Sequence, residues 1–257
     1  MSVYNGGSFL HEAINSILNQ TFEDFEFIII NDGSQDDTQS ILGSYKDSRI
    51  RIINQVNIGL TASLNNAIKL ANGEYIARMD ADDISLPERL AKQVQWLDQR
   101  DDYCAITSKV LCIDQKGQPL KSWSADQSAT TAGEIRKTLP RVNCIAHPSV
   151  MIRNAILQKY QYSPIQKCSQ DYDLWLRLHA DGLKIGKIDQ ELVKLRIHSN
   201  SITAMTVQNL GALKSIRIKN NYLKNRIFVD KRITLYDWRI CAELLREWFN
   251  HYLLRKS

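Results

Sequence analysis

The chain has 257 residues, 44% of them hydrophobic and 24% charged, with a formal net charge of +5, the balance of a soluble globular protein of one large domain or one domain with an appendage. No stretch reaches the roughly 18 consecutive apolar residues of a membrane span, and Met1-Ser2-Val3-Tyr4-Asn5-Gly6 has neither the basic start nor the apolar core of a signal peptide, so a cytoplasmic location is expected. The five cysteines, Cys104, Cys112, Cys144, Cys168 and Cys241, form no Cys-x-x-Cys pair and leave an odd one, which argues against a zinc site or a disulfide framework.

Only Met1-Ser2-Val3 precedes the Tyr4-Asn5-Gly6 turn, so the first strand is expected to be short. Leu10, Ile14, Ile17 and Leu18 then mark a helix face, and Phe25 to Ile30 a strand ending in Asn31-Asp32-Gly33-Ser34. A helix around Ile41, Leu42 and Tyr45 and a strand from Arg49 to Asn54 follow. Asn57-Ile58-Gly59 turns the chain into a helix carrying Leu64, Ile68 and Ala71, which Gly73 is placed to terminate. Tyr75 to Met79 reads as a buried strand running into Asp80-Ala81-Asp82-Asp83. Ser85-Leu86-Pro87-Glu88 has capping-box spacing before the apolar stripe Leu90, Val94 and Leu97. A strand through Ile106 to Ile113, a turn at Gln115-Lys116-Gly117 and an irregular stretch to about Arg141 come next. Ser149 to Ile152 reads as a strand, Asp171 to Ala180 as a helix closed by Gly182, and Leu183 to Ile188 and Leu192 to Ile197 as two strands.

From Met205 the pattern changes to two amphipathic helices, in which eleven Lys and Arg face four Asp and Glu, about +7, leaving the earlier part slightly acidic. A soft boundary falls near Ala204, dividing a catalytic domain of residues 1–203 from a basic helical extension of 204–257. The alternating helix and strand patterns ahead of it are those of an α/β fold.

Three carboxylates in four residues, Asp80, Asp82 and Asp83, concentrate negative charge at a strand's carboxyl end, where open α/β sheets place their ligands. Burying such groups unpaired costs several kcal/mol per ion, and a hard divalent cation that also takes substrate phosphates is the simplest compensator. The structural alternative is a run of acids favoured by the dipole of the following helix. Asp32, at a strand end, suits a base N–H or an Asx-type turn. Asp171, at a helix start, is favoured in its ionised form and suits a general base or a plain helix-start carboxylate. His147 and His198 border strands and read first as structural, with His198 the better candidate for a phosphate or metal. Arg78 suits a donor phosphate or a salt bridge to the acids. No G-x-G-x-x-G or G-x-x-x-x-G-K-[ST] is present, so dinucleotide and P-loop chemistry lack their glycine geometry.

Taken together and in order, Ser2-Val3-Tyr4-Asn5-Gly6, Ser16 to Phe22, Asn31-Asp32-Gly33-Ser34, Asn57-Ile58-Gly59-Leu60, Gly73-Glu74-Tyr75-Ile76, Asp80-Ala81-Asp82-Asp83, His147-Pro148-Ser149-Val150 and Gln170 to Trp175 resemble the family 2 inverting glycosyltransferases. The resemblance implies a GT-A fold, a Rossmann-like three-layer α/β sandwich with a mixed, mainly parallel sheet, here followed by C-terminal helices. It also implies transfer of a sugar, with inversion, from a nucleotide-diphosphate donor of the uridine type to a hydroxyl of a saccharide or lipid-linked acceptor in cell-surface polysaccharide biosynthesis. In this reading Ser2 and Tyr4 meet the nucleobase and Asp32 binds it. Asp80 touches the ribose or metal shell, Asp82 holds Mn²⁺ or Mg²⁺ with Asp83 in support, Asp171 is the general base, and His198 contacts the diphosphate or metal. Gln170 stands where the family usually has an acid.

The competing readings are a sugar nucleotidyltransferase, which Asn5-Gly6-Gly7-Ser8 disfavours for want of a basic residue, and a catalytically impaired nucleotide-binding or scaffold protein. Acceptor choice is expected to lie around Ser122 to Val142. The C-terminal helices, with Trp238, Trp248 and Phe249 beside Lys and Arg, are expected to rest on the inner face of the cytoplasmic membrane, to pack on the domain, or to form a homodimer interface. Nucleic acid is not expected as a partner, because no recognition motif accompanies the basic end.

Overall fold

The computed structural model describes residues 1–166, 169–199 and 211–254. Cys168, the boundary near Ala204 and the helix start between Met205 and Leu210 lie outside them.

The first sheet is parallel, in the order β1 (Ser2–Val3), β2 (Phe27–Asp32) and β3 (Ile50–Gln55). Helices α1 (Leu10–Leu18) and α2 (Thr38–Ser44) connect these strands. The Leu10, Ala13, Ile14 and Ile17 stripe of α1 packs with Val3, Phe27, Ile29 and Leu42 in one core cluster. β2 is buried along its whole length, which explains its unbroken apolar run.

Helix α3 (Leu60–Leu70) leads to β4 (Tyr75–Ala77), and β5 (Ile84–Ser85), α4 (Arg89–Asp98) and β6 (Tyr103–Ile113) follow. The second sheet is completed by β7 (Met151–Arg153) and β8 (Lys184–Arg196), in the order β4-β7-β6-β8-β5. β6 and β8 pair in parallel and the other neighbours antiparallel, so the mixed character expected of the fold is present, with the strands divided between two sheets. β1 is as short as the sequence suggested.

Local expectations gave way to tertiary pairing in several places. Ser85 does not cap α4. It pairs with Val193 in the sheet, donates its N–H to Ser16 Oγ at 3.0 Å and receives Gln20 Nε2 at 3.1 Å, and α4 starts after Glu88 with no side-chain cap. Gly73 does not end α3, which stops at Leu70 with Ala71 already extended. The two strands read at Leu183 to Ile188 and Leu192 to Ile197 form the single long β8. The irregular stretch contains α5 (Ser124–Ser128) and α6 (Ala132–Thr138). α6 carries a capping box between Thr131 and Glu134, a Thr-x-x-Glu spacing that could have been read from the sequence.

After α7 (Asn154–Tyr160), α8 (Gln170–Ala180) buries Leu174, Trp175, Leu176 and Leu178 in the largest core cluster. The C-terminal helices α9 (Gly211–Phe228) and α10 (Leu235–Leu254) join that cluster through Ile218, Tyr222, Tyr236 and Ile240. Arg226 adds an ion pair to Asp181 at 2.9 Å, and Lys219 donates to Glu247 at 2.6 Å and to Arg141 O at 3.2 Å. The basic extension therefore packs on the domain. Its remaining face leaves Phe228, Leu235, Trp238, Leu245 and Phe249 more than 60% exposed.

Candidate functional site

The acidic run sits between β4 and β5, and its three carboxylates face three different surroundings. Asp80, half-buried, pairs with Arg78 Nη2, so Arg78 is held by the acids and is itself buried. Asp82 keeps a partly open carboxylate whose Oδ2 lies 3.0 Å from His198 Nε2. Burial pushes the Asp82 carboxyl up from its ordinary value, and the Asp80 charge adds to the rise, while His198 opposes it.

Asp83 does not share that face. It is buried, its Oδ1 accepts the Arg196 backbone N–H at 2.8 Å, and its Oδ2 has no protein partner. Asp82 stands in the turn ahead of β5, and the Arg196 amide holds the Asp83 carboxylate inward while that of Asp82 stays partly open. Burial raises the Asp83 carboxyl well above its usual range, with the Asp82 and Asp80 charges next in importance. Beneath the run, the buried Arg89 guanidinium donates to Arg78 O at 2.7 Å and Gln93 Oε1 at 3.0 Å; burial pushes it down to about 9 while Asp83 pulls it up. Much of the negative charge is thus answered by arginines.

Arg196 stitches this loop to the end of β8. Its backbone N–H holds Asp83, its Nε donates to Asp82 O at 2.8 Å, its Nη1 donates to Asp114 O and Gln115 O at 3.3 Å each, and its Nη2 pairs with Glu12. The guanidinium also lies over the Phe9 ring, 4.5 Å from its centroid. Arg196 was not singled out as a site residue. The alternation in Arg196-Ile197-His198, which sets the two basic residues on one side of the segment, is the signal that could have found it.

Asp32 occupies the end of β2 and is 2% exposed. Its Oδ1 accepts the Ile58 N–H at 2.9 Å and Gln55 Nε2 at 2.8 Å, and its Oδ2 accepts the Gly59 N–H at 2.9 Å. Burial alone would raise its pKa, but these hydrogen bonds, with Ser63, outweigh it and hold the carboxyl below its usual value. Asp32 therefore locks β2 to the start of α3 rather than forming an Asx turn with its own loop. Two glycines make this possible. At Gly33 (φ +75°) a Cβ would meet Asn57 N at 2.7 Å, and Gly59 (φ +86°) turns the chain into α3. Ser2 is buried within β1, whereas Tyr4 stands 51% exposed just past its end. Beside Tyr4, Asn5 N–H donates to Ser34 Oγ at 3.0 Å and Asn5 Oδ1 accepts the Gln35 N–H at 2.8 Å.

Asp171 lies half-buried in the first turn of α8 and accepts Asn143 Nδ2 at 3.1 Å. Gln170 beside it is buried. The buried Tyr162 phenol is pushed well above its ordinary value by burial, which outweighs the pull of Arg78. Tyr162 OH is 2.7 Å from His147 Nε2, so His147 is a structural partner, its pKa driven well below normal by burial and by Arg78.

Asp82 and His198, a carboxylate and an imidazole 3.0 Å apart with open surface beside them, fit a divalent cation as a two-ligand set that leaves positions for phosphate oxygens. Among the described residues no three His, Cys, Asp or Glu side chains gather into a larger metal site.

Residues 1–160 match the family described as Glycosyl transferase family 2. A glycosyltransferase of Methanocaldococcus jannaschii is 34% identical over 245 residues, covering 93% of this chain and 83% of the relative. The O-antigen biosynthesis glycosyltransferase WbnJ of Escherichia coli is 34% identical over 207 residues, covering 78% and 79%. Among solved structures, S. aureus TarS 1-349 in complex with UDP-GlcNAc superposes with a TM-score of 0.72 at 18% identity, over 97% of this chain and 71% of TarS. The mannosyltransferase PcManGT from Pyrobaculum calidifontis, in complex with GDP-Man and Mn2+, gives 0.68 at 15% identity, over 95% and 67%.

Proposed function

The chain belongs to glycosyl transferase family 2, and we propose that it moves a sugar, with inversion, from a uridine diphosphate donor to a hydroxyl of a saccharide or lipid-linked acceptor in cell-surface polysaccharide synthesis. The observation that carries this reading is the Asp82–His198 pair, 3.0 Å apart in the acidic run that also holds Asp80, together with Asp171 in the first turn of α8, oriented by Asn143 Nδ2 at 3.1 Å. The UDP-GlcNAc complex of TarS and the name of WbnJ support the donor class and the polymer role.

In the reaction, the acceptor oxygen bonds to the anomeric carbon from the face opposite the leaving group. The bond from that carbon to the diphosphate oxygen breaks, its electron pair leaves with the nucleoside diphosphate, and the acceptor proton passes to Asp171. Asn143 orients the carboxylate for that transfer. Tyr4 and the loop fixed by Asp32 border the base, and Arg196 holds the segments bearing Asp82 and His198 in register. Asp82 and His198 would hold Mn²⁺ or Mg²⁺, which when bound neutralises charge developing on the leaving diphosphate.

A thermal-shift titration with UDP, with and without Mn²⁺, tests this. At a hundredfold excess over Kd, ligand stabilises by about 2.7 kcal/mol, or roughly 5–11 °C in Tm for a protein of this size. Asp82→Ala is expected to keep the nucleotide shift and lose the manganese-dependent part. An undiminished manganese effect in that variant would remove Asp82 from the ion site.

No helix among the described residues is long and apolar enough to cross a membrane. The exposed apolar face of α9 and α10, bordered by exposed Lys231, Arg232, Arg239 and Arg246, supports a peripheral seat on the anionic inner face of the cytoplasmic membrane, where a lipid-linked acceptor would be met. The protein is expected to sediment with anionic vesicles and not with neutral ones, and to be released as salt rises. Concentration-dependent dimerisation without vesicle binding would assign the face to a second copy instead.

A further inference from the structure

Asn143, which donates to Asp171 Oδ2 at 3.1 Å, also accepts the Ile145 N–H on its Oδ1 at 3.1 Å, so its side chain turns with the chain that carries it. That chain is gripped on either side of Asn143 by a buried lysine. Lys187 Nζ, from β8, donates to Cys144 O at 2.8 Å, and Lys219 Nζ, from α9, donates to Arg141 O at 3.2 Å. Both lysine side chains are 0% exposed. A buried ammonium is costly unless it is paired and hydrogen-bonded, and each has its carboxylate, Asp126 at 2.9 Å for Lys187 and Glu247 at 2.6 Å for Lys219. Packing of α9 is already served by Ile218 and Tyr222, which join the largest core cluster. What the Lys219 ammonium adds is direction, because it fixes a carbonyl two residues from Asn143.

The same turn of α9 reaches the chain that leads into α8. Gln166, buried ahead of that helix, donates its Nε2 to Ile218 O at 3.4 Å and accepts Asn221 Nδ2 on its Oε1 at 3.4 Å. Its backbone oxygen accepts Thr61 Oγ1 of α3 at 3.3 Å. From α10, Glu243 pairs with Arg141 Nε at 2.9 Å, but the Arg141 side chain is 67% exposed, and an ion pair that open holds little. The grip on Arg141 therefore falls to Lys219. One helical turn, Ile218 to Asn221, thus touches both of the segments that bracket Asp171: the one bearing Asn143 and the one entering α8.

Taking Asp171 as the base of the transfer described above, we propose that this turn of α9 is a clamp on that base, with Lys219 its chief positioning residue. It fixes Arg141, and through it Asn143, on one side of Asp171 and Gln166 on the other, and so sets the aim of the carboxylate at the acceptor hydroxyl. A proton acceptor works within about 2.6–3.2 Å of the oxygen it deprotonates, and a misplacement of about 1 Å can cost about a hundredfold in rate. Loss of the clamp therefore shows in kcat, while the donor site, built on other elements, keeps its affinity. The inner side of the C-terminal helices belongs to the catalytic unit, and their outer side, with Phe228 and Trp238, stays exposed.

The test compares Lys219→Met with Arg226→Met, which loosens the same helix by removing its ion pair with Asp181 but lies two turns away from Arg141 and Gln166. Turnover of the full chain is followed as UDP released from UDP-GlcNAc with Mn²⁺, water serving as acceptor, and exchange of the Ile145 amide is followed without nucleotide. Lys219→Met is expected to lower kcat at least about tenfold with the donor KM unchanged, and to speed Ile145 exchange at least about tenfold. Arg226→Met is expected to lower Tm and to leave both readouts near the wild type. In the Asp171→Asn background Lys219→Met is expected to lower kcat no further, because it acts through that carboxylate. Equal kcat and equal Ile145 exchange in the two single variants, or a full further loss in the Asp171→Asn background, would overturn the clamp. If Lys219→Met does not fold, the half-buried Asn221→Ala takes its place, with a fall in kcat of about threefold and faster exchange of the Gln166 amide expected, and wild-type values of both overturning the clamp. Wild-type turnover by Asp171→Asn would overturn the base assignment itself, whereas loss in Asp171→Asn with undiminished turnover in Lys219→Met would overturn the clamp alone. Ile145 exchange needs no donor, so it separates the two variants whichever sugar is transferred.

Discussion

Asp171→Asn is expected to lower kcat by about 10²–10⁴, the usual contribution of a positioned general base, while leaving nucleotide binding unchanged. Asn has the size of Asp and can still accept the Asn143 N–H that now reaches Oδ2 at 3.1 Å, so the first turn of α8 has no reason to move. What is lost is the capacity to take the acceptor proton. Product formation gives the rate, and a UDP thermal shift equal to that of the wild type shows that the donor site is intact. Transfer at the wild-type rate would take Asp171 out of the base role. Asn143→Ala keeps the carboxylate and removes its orienting donor, and a smaller fall in kcat is expected.

Lys187→Met is expected to destabilise the protein by about 3–5 kcal/mol, the usual cost of breaking one side of a buried ion pair, or roughly 6–20 °C in Tm. Lys187 on β8 and Asp126 on α5 have fully buried side chains, with Nζ 2.9 Å from Oδ1. Nζ also donates to Asp126 O and Cys144 O at 2.8 Å each, and Asp126 Oδ2 accepts the Val110 N–H at 3.0 Å. Burial pushes the Asp126 carboxyl up, and Lys187 is the chief group pulling it back. Without the lysine the folded-state pKa rises further above the unfolded value. A raised acid contributes stability at low pH and loses it as pH rises through the folded pKa. The deficit of the variant is therefore expected to shrink as pH is lowered from about 8 to about 5. Adding Asp126→Asn keeps an acceptor for Val110 and removes the stranded charge, so the double variant should melt above Lys187→Met alone. Strict additivity would deny the coupling. The pair also bears on the site, because the Cys144 carbonyl it grips adjoins Asn143.

The alternation of elements was legible wherever a long apolar period set it. The Leu10 to Leu18 stripe, the Phe27 to Ile30 run and the Leu174 to Leu178 core of α8 each declare their burial in the sequence. The reading failed where distant partners override local chemistry. Ser85 has every local mark of a cap, yet pairing with Val193 and the Gln20 and Ser16 side chains claims it. Asp83 reads as a support to Asp82, and the partner that turns it inward, the Arg196 amide, is 113 residues away and has no local signal. Asp32 was legible as a key position, but the partners that define it, Ile58 and Gly59, belong to the loop leading into the next helix and not to its own turn. Lys187 stands at the alternate strand position after Leu183 and Ile185, which marks it as inward-facing, but its partner Asp126 lies 61 residues away and has no local signal.

Asp82 and His198 are 116 residues apart in the chain. At a ribosomal rate of about 5–20 residues per second, the acids emerge roughly 6–23 s before the imidazole and guanidinium that order them. During synthesis the acidic loop, proposed above to hold the donor's cation, is therefore incomplete while the upstream helices and strands are already able to form. A nascent polypeptide halted before Arg196 would be inert toward the activated sugar, and catalytic competence would arrive late and abruptly, when the last strand of the second sheet slides into place.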